Sequence, residues 1–249
     1  MEWDDEGIVL SARKHGESAV IASLLTRDHG RHPGLVRGGA GSRARGLYQP
    51  GNRVVAHWRG RLAEHLGAYR CELSRSTAAG VLDNALALGV LRAACAVAEA
   101  ALPERHPYGR VYETLAELLA AVGEGGGGLV ARYVRWELVL LAEIGYGLDL
   151  SVCAATGSND NLAYVSPKTG RAVSLSAGEP YRDRLLTLPA FLIGAGPPGG
   201  SLPAGDLVAG LRLTGFFLDR HVLSQGMKLP APRGQLEAMV SAPRRPTIY

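Results

Sequence analysis

Cysteine is scarce in this 249-residue chain: Cys71, Cys95 and Cys153 stand far apart and are odd in number. Such a set builds no disulfide framework and suggests a reducing compartment. No apolar run approaches the roughly 18 residues that a membrane span needs. The opening Met1-Glu-Trp-Asp-Asp-Glu6 is acidic, the opposite of a secretory leader. These absences lead to the expectation of a cytoplasmic protein with no membrane partner. Aromatic residues are only 6% of the chain, whereas alanine, glycine, leucine and arginine abound, a bias that suits a GC-rich genome. The hydrophobic share of 47% is ordinary for a folded protein and argues against disorder.

Catalytic patterns are missing as well. There is no Gly-x-x-x-x-Gly-Lys-Ser/Thr loop for a nucleotide triphosphate and no nucleophile elbow. His29 and His32 flank no second pair at a metal-binding spacing, and Asp4, Asp5 and Glu6 read as solvated terminal charge. Residues 194–199, Gly-Ala-Gly-Pro-Pro-Gly, match a dinucleotide fingerprint in letters alone. Pro197 and Pro198 lack the N–H groups that such a loop must turn toward pyrophosphate. We therefore expect no enzyme, no cofactor and no metal.

What the chain does have is a dense arginine run. Arg27, Arg31, Arg37, Arg43, Arg45, Arg53, Arg59 and Arg61 are answered within their own segment only by Asp28, and glycines are scattered among them. The overall net charge is only +4, so the information lies in this local concentration. Guanidinium forks and exposed amides suit a polyanion, and nucleic acid is the commonest one. A solvated basic face without a partner would carry the same charges.

The first 75 or so residues read as β. Short apolar runs at residues 7–12, 18–26, 34–37, 52–58 and 65–73 are each bounded by Gly, Pro, Asp or Asn. In the fourth, Val54, Ala56 and Trp58 alternate with Arg53, Val55 and His57, as in a strand with one buried face. Five such strands fit a small OB-type barrel, although their spatial order is not legible. Helical spacing follows: a long alanine-rich helix to Leu102, then residues 111–122, then 130–144 closing at Gly145. Residues 148–182 look irregular, and helical spacing resumes over 181–193 and 207–224. Four prolines after residue 229 suggest a loosely held tail. The expected organisation is α+β: a barrel domain at 1–76, a helical domain at 77–229 with an irregular insert at 148–182, and a tail at 230–249.

Several segments together resemble the RecO family of bacterial recombination mediators. They are Glu6-Gly-Ile-Val-Leu-Ser11, His29-Gly-Arg31 leading to Val36-Arg-Gly-Gly-Ala40, Gly46-Leu-Tyr-Gln-Pro50, Glu143-Ile-Gly-Tyr-Gly-Leu-Asp149 and Leu162-Ala-Tyr-Val-Ser-Pro167. The resemblance covers nearly the whole length. It implies an N-terminal OB-fold five-stranded barrel, an all-helical domain and, in many members, a four-cysteine zinc knuckle. Here Thr156, Ser174 and Ala177 stand where three of those cysteines would be, so the knuckle-like insert lacks its ligands. The resemblance further implies binding and annealing of single- and double-stranded DNA without turnover. It implies as partners RecR, the C-terminal tail of single-strand-binding protein and, indirectly, RecA, for a nucleoid-associated protein that is monomeric alone.

Two functional readings follow. In the first, Arg31, Arg37, Arg43, Arg45, Arg53, Arg59 and Arg61 contact DNA phosphates along the barrel, with Trp58 and Tyr48 as stacking platforms if exposed. The strand alternation argues that Trp58 is core instead. In the second, the chain is a scaffold whose helical domain takes an acidic-hydrophobic peptide, with Arg132 and Arg135 at the rim of an apolar groove beside Leu129, Val130 and Val134. Ordinary helix-surface charge is the simpler account of those two arginines.

Overall fold

The structure, a computed structural model, describes residues 1–194, 202–222 and 228–242, the side chain of Arg43 excepted. Strands β1 (Glu2–His15), β2 (Ala19–Thr26), β3 (Gly30–Val36), β4 (Arg53–Arg59) and β5 (Ala68–Arg75) close into a barrel in the order β1-β2-β3-β5-β4. The closing seam between β3 and β5 is parallel and short, with one paired position, Leu35 opposite Ala68. All other neighbours run antiparallel. A short helix, α1 (Ser42–Leu47), occupies the β3–β4 connection.

The barrel follows from period-two alternation. On β4, Val54, Ala56 and Trp58 are buried while Arg53, Val55, His57 and Arg59 face outward. They join Val9, Val20, Leu24, Val36, Tyr48 and Tyr69 in one apolar cluster. Burial of Trp58 confirms its core reading, and Tyr48 is buried too, so neither is a stacking platform. Part of β1, from Gly7 to Leu10, is buried on both faces, because helix α2 (Ala85–Ala101) lies against β1 and β2. Asn84 caps α2 through the Ala87 N–H at 3.0 Å.

One end of the barrel is packed with rings. Trp3 stacks on His29 at 4.0 Å and on Trp58 at 5.7 Å, with His32 and Tyr69 edge-on to it. Burial holds the His32 imidazole neutral, lowering its pKa to about 4. The β4–β5 turn folds tightly over Trp58, whose Nε1 donates to Leu66 O at 3.1 Å. Gly67, at φ +58°, leaves no room for a Cβ there; one would sit 2.4 Å from the Trp58 ring.

The chain divides into two compact units, one of residues 1–129 with 230–233, the other of residues 130–229 with 234–249. In the first, α2 and α3 (Gly109–Gly123) pack together after a single 3-10 turn at Ala78–Val81. The second holds most of α4 (Leu129–Glu143), which stops where Gly145 takes φ +91° and Tyr146 N–H reaches back to Leu141 O at 2.7 Å.

Residues 148–182 are less irregular than the sequence suggests. Strands β6 (Leu162–Val165), β7 (Ala172–Ser174) and β8 (Leu186–Thr187) form a small antiparallel sheet in the order β7-β6-β8, with the one-turn helix α5 (Leu175–Gly178) after β7. The helical expectation for 181–193 is also corrected: the segment holds β8 between 3-10 turns at Glu179–Arg184 and Ala190–Leu192. These short pieces contain too few turns for the 3.6-residue period to discriminate. The expected all-helical domain thus carries a three-stranded sheet. Helix α6 (Ala204–Phe217) runs on into a π turn at Leu218–Val222. Where the prolines suggested a loose tail, Ala231–Ser241 forms α7, with Leu236 buried. Residues 195–199 of the fingerprint-like stretch and the last seven residues of the tail lie outside the described residues.

Candidate nucleic-acid interface

Outward positions of β1 and β4 lie directly opposite one another, pairing Glu2 with Arg59, Asp4 with His57 and Glu6 with Val55. Asp4 and Glu6 are thus solvated, as expected, but stand in a ladder of carboxylates beside the arginine strand, whereas Asp5 is buried and departs from the reading of solvated terminal charge. His57 Nδ1 lies 2.6 Å from Asp4, and Arg53 donates to Glu6 at 3.1 Å. Tyr112 of α3 adds its hydroxyl to Glu6 at 3.4 Å. The arginine run is unopposed along the chain but partly opposed in space.

The run consequently separates into two groups. Arg31 and Arg53 are engaged internally. Arg31 Nε donates to Leu102 O at 2.7 Å, at the C-terminal end of α2, and its terminal nitrogen pairs with Glu104 at 3.3 Å. Arg27 leans over the Tyr112 ring at 5.9 Å and pairs loosely with Glu113. Arg37, Arg45, Arg59 and Arg61 are exposed and form no ion pair among the described residues. Arg43 lies in α1, but its side chain is outside the described residues.

A further cation joins the free group. Arg70 projects from β5 between buried Tyr69 and half-buried Cys71, exposed and without an ion pair among the described residues. Sequence reasoning ended the run at Arg61, yet the alternation Tyr69-Arg70-Cys71 was a readable outward signal. Arg37, just after β3, and Arg70, on β5, both line a shallow groove of about 490 Å³ along the β3–β5 seam and α1. Among the described residues its lining holds those two arginines and no carboxylate, with Tyr48, Tyr69 and Cys71 at the base. Burial pushes the Cys71 thiol up to about 11 and raises the Tyr48 hydroxyl as well, so the base of the groove is uncharged.

Asn52, fully buried at the start of β4, sets the position of α1. Its Nδ2 donates to Gly46 O at 2.9 Å and Leu47 O at 3.1 Å. Its Oδ1 accepts the N–H groups of Thr77 at 3.1 Å and Ala78 at 3.3 Å. One side chain thus ties the C-terminal end of α1 to the chain leaving β5. Nothing in the sequence marks this asparagine apart from the turn it stands in.

In the second unit, Arg132 is exposed, and Arg135 donates to Phe191 O at 2.8 Å with its guanidinium over the Phe191 ring. Leu129, Val130 and Val134 are buried. A groove of about 630 Å³ opens elsewhere, among β8, α6 and α7, lined by Leu185, Val208, Leu213 and Val240 with Arg212 and Asp206. Arg212 pairs with Glu237 at 3.4 Å.

The knuckle-like insert brings Cys153 and Ser174 together. Cys153 Sγ accepts the Ser174 N–H at 3.2 Å and lies 3.5 Å from Ser174 Oγ. One sulfur, two hydroxyls and the methyl of Ala177 are not the four N or S donors that zinc requires. No cluster of three or more His, Cys, Asp or Glu suited to a metal occurs among the described residues. The donor set does not fit the metal. Burial pushes the Cys153 thiol up, but hydrogen bonds from Ser174 and Thr156 outweigh it and hold the pKa at about 6, below the ordinary 9.0. A pKa depressed on folding adds stability above the unfolded value and loses it as pH falls through the folded one. Cys153→Ala should therefore cost more stability at pH 9 than at pH 6 in urea unfolding, and a chelator should leave the wild-type midpoint unchanged. Equal losses at both pH values, or a midpoint lowered by chelator, would contradict this account.

Comparison with known proteins covers both parts of the chain. The family model described as Recombination protein O N terminal matches residues 1–76, and that described as Recombination protein O C terminal matches residues 82–230. The DNA repair protein RecO of Rhodospirillum centenum is 55% identical over 236 residues, 94% of this chain and 92% of that one. The protein of the same name from Rhodospirillum rubrum is 52% identical over 239 residues, 94% of each chain. That from Methylobacterium nodulans is 49% identical over 245 residues, 97% of this chain and 99% of its own.

Proposed function

The chain belongs to the recombination protein O family, RecO, and from that premise we propose that it acts in DNA repair as a DNA-binding recombination mediator. In this reading it binds single- and double-stranded DNA through the barrel unit and anneals complementary strands. With RecR and single-strand-binding protein it promotes loading of RecA. Binding energy does the work and no bond is made or broken, so the protein is not an enzyme. The observation that carries the reading is the set of exposed guanidiniums, Arg37, Arg45, Arg59, Arg61 and Arg70, on a barrel where Arg13, Arg27, Arg31, Arg53 and Arg75 pair with carboxylates. Unpaired arginines can exchange condensed counterions for phosphate contacts, and neutralised strands can approach closely enough to pair.

Salt dependence tests this directly. Five phosphate contacts predict a slope of log affinity against log salt of roughly −3.5 for single strands. Anisotropy titrations of a labelled oligonucleotide across a salt series measure it, and a slope near zero would sink the proposal. The groove among β8, α6 and α7 supports a second reading, in which the helical domain takes the acidic-hydrophobic tail of single-strand-binding protein; Arg132 and Arg135 are weaker candidates for that role.

A further inference from the structure

The groove at the β3–β5 seam differs in kind from a phosphate track. A track for the backbone needs cations spaced along a surface and nothing more. Here two guanidiniums, Arg37 and Arg70, stand over a recess whose base is apolar and uncharged. The recess exists because only one residue pair closes β3 to β5, while α1, tied down by Asn52, fills the space beside the seam. The turn after β3 keeps the entrance open. Gly38, at φ +69°, accepts the Gly41 N–H at 3.1 Å, and a Cβ on Gly38 would meet nothing.

A volume of about 490 Å³ falls in the range of small-ligand pockets and leaves room for one nucleotide unit. A cationic rim over an apolar base matches the two halves of a nucleotide, an anionic phosphate and a planar base with apolar faces. It matches a paired duplex poorly, since the bases there are stacked inside and only phosphates reach the surface. Burial keeps the Tyr48 hydroxyl and the Cys71 thiol protonated, so the groups at the base of the groove stay uncharged beside an inserted base.

We infer that this groove takes one unpaired base of a nucleic-acid strand, with its flanking phosphates held between Arg37 and Arg70. The inference rests on the nucleic-acid reading above and adds to it a preference for unpaired bases over backbone alone. Base insertion favours single strands and places a base where it is readily released to a complementary strand.

The test compares full-length protein binding to a thymine-bearing single strand and to an abasic strand of equal length and charge, at one salt concentration. Contact with one base should favour the base-bearing strand by roughly fivefold or more. Ala44→Leu adds bulk from a position that already lines the groove, and Arg70→Ala removes one wall. Ala44→Leu, checked for folding by circular dichroism, should erase the preference; Arg70→Ala should weaken both strands. Equal wild-type affinities with a steep salt slope would overturn the base-insertion inference and leave DNA binding intact. A preference that persists in folded Ala44→Leu would overturn the location. Failure to bind any strand would overturn both this inference and the proposed function.

Discussion

Replacing Asn52 with aspartate is expected to lower the stability of the barrel unit by about 3–5 kcal/mol, the usual cost of leaving a buried charge uncompensated. The wild-type amide donates to two carbonyls of α1 and accepts two N–H groups after β5. A carboxylate can still accept from Thr77 and Ala78, but it would face the oxygens of Gly46 and Leu47 with no proton to give. Burial leaves no water to compensate, so either the charge is neutralised by protonation or α1 moves away. Asn52→Ala should cost somewhat less, since it empties the space without adding a repulsive group. Urea unfolding followed by tryptophan fluorescence reports on this, because Trp3 and Trp58 both lie in the barrel. A loss under about 1 kcal/mol for the aspartate variant would show that α1 is held by something other than this amide. Loosened α1 should also weaken DNA binding, because the helix forms one side of the groove.

The second large effect concerns charge. Reversing Arg37 and Arg70 together to glutamate should weaken single-strand binding at least about tenfold near 0.1 M salt and flatten the salt slope by roughly 1.4. Arg31→Ala should behave in the opposite way. Its guanidinium is committed to Leu102 O and Glu104, so removing it should cost stability and leave the slope almost unchanged. The contrast separates a cation facing a ligand from a cation holding the fold. If Arg31→Ala flattens the slope and the double reversal does not, the interface lies elsewhere on the barrel.

Much of the architecture was legible in the sequence because strand alternation is local. Val54, Ala56 and Trp58 announce a buried face without help from distant residues. The order of strands was not legible, and the misreading of the arginine run follows from that. Barrel closure sets β1 against β4, so Asp4 and Glu6 answer His57 and Arg53, which lie far away in sequence. A charge census along the chain sees only Asp28. The same limit hid the role of Arg31, whose partners Leu102 and Glu104 belong to the end of a helix and the turn after it. Arg70 could have been found by extending the alternation of the fifth strand. Asn52 could not, because its four partners come from two segments that only the fold brings together. The small sheet at β6, β7 and β8 escaped because its strands are two to four residues long, too short to show a period.

The carboxylate ladder on β1 has a bearing on how the barrel meets its ligand. A domain balanced on one flank and cationic on another is an electric dipole. In the field of a long polyanion such a body turns before it touches, presenting the β3–β5 side and withdrawing the β1 side. If the barrel binds DNA as proposed, the acidic strand acts on the encounter rate, by discarding collisions that arrive the wrong way round.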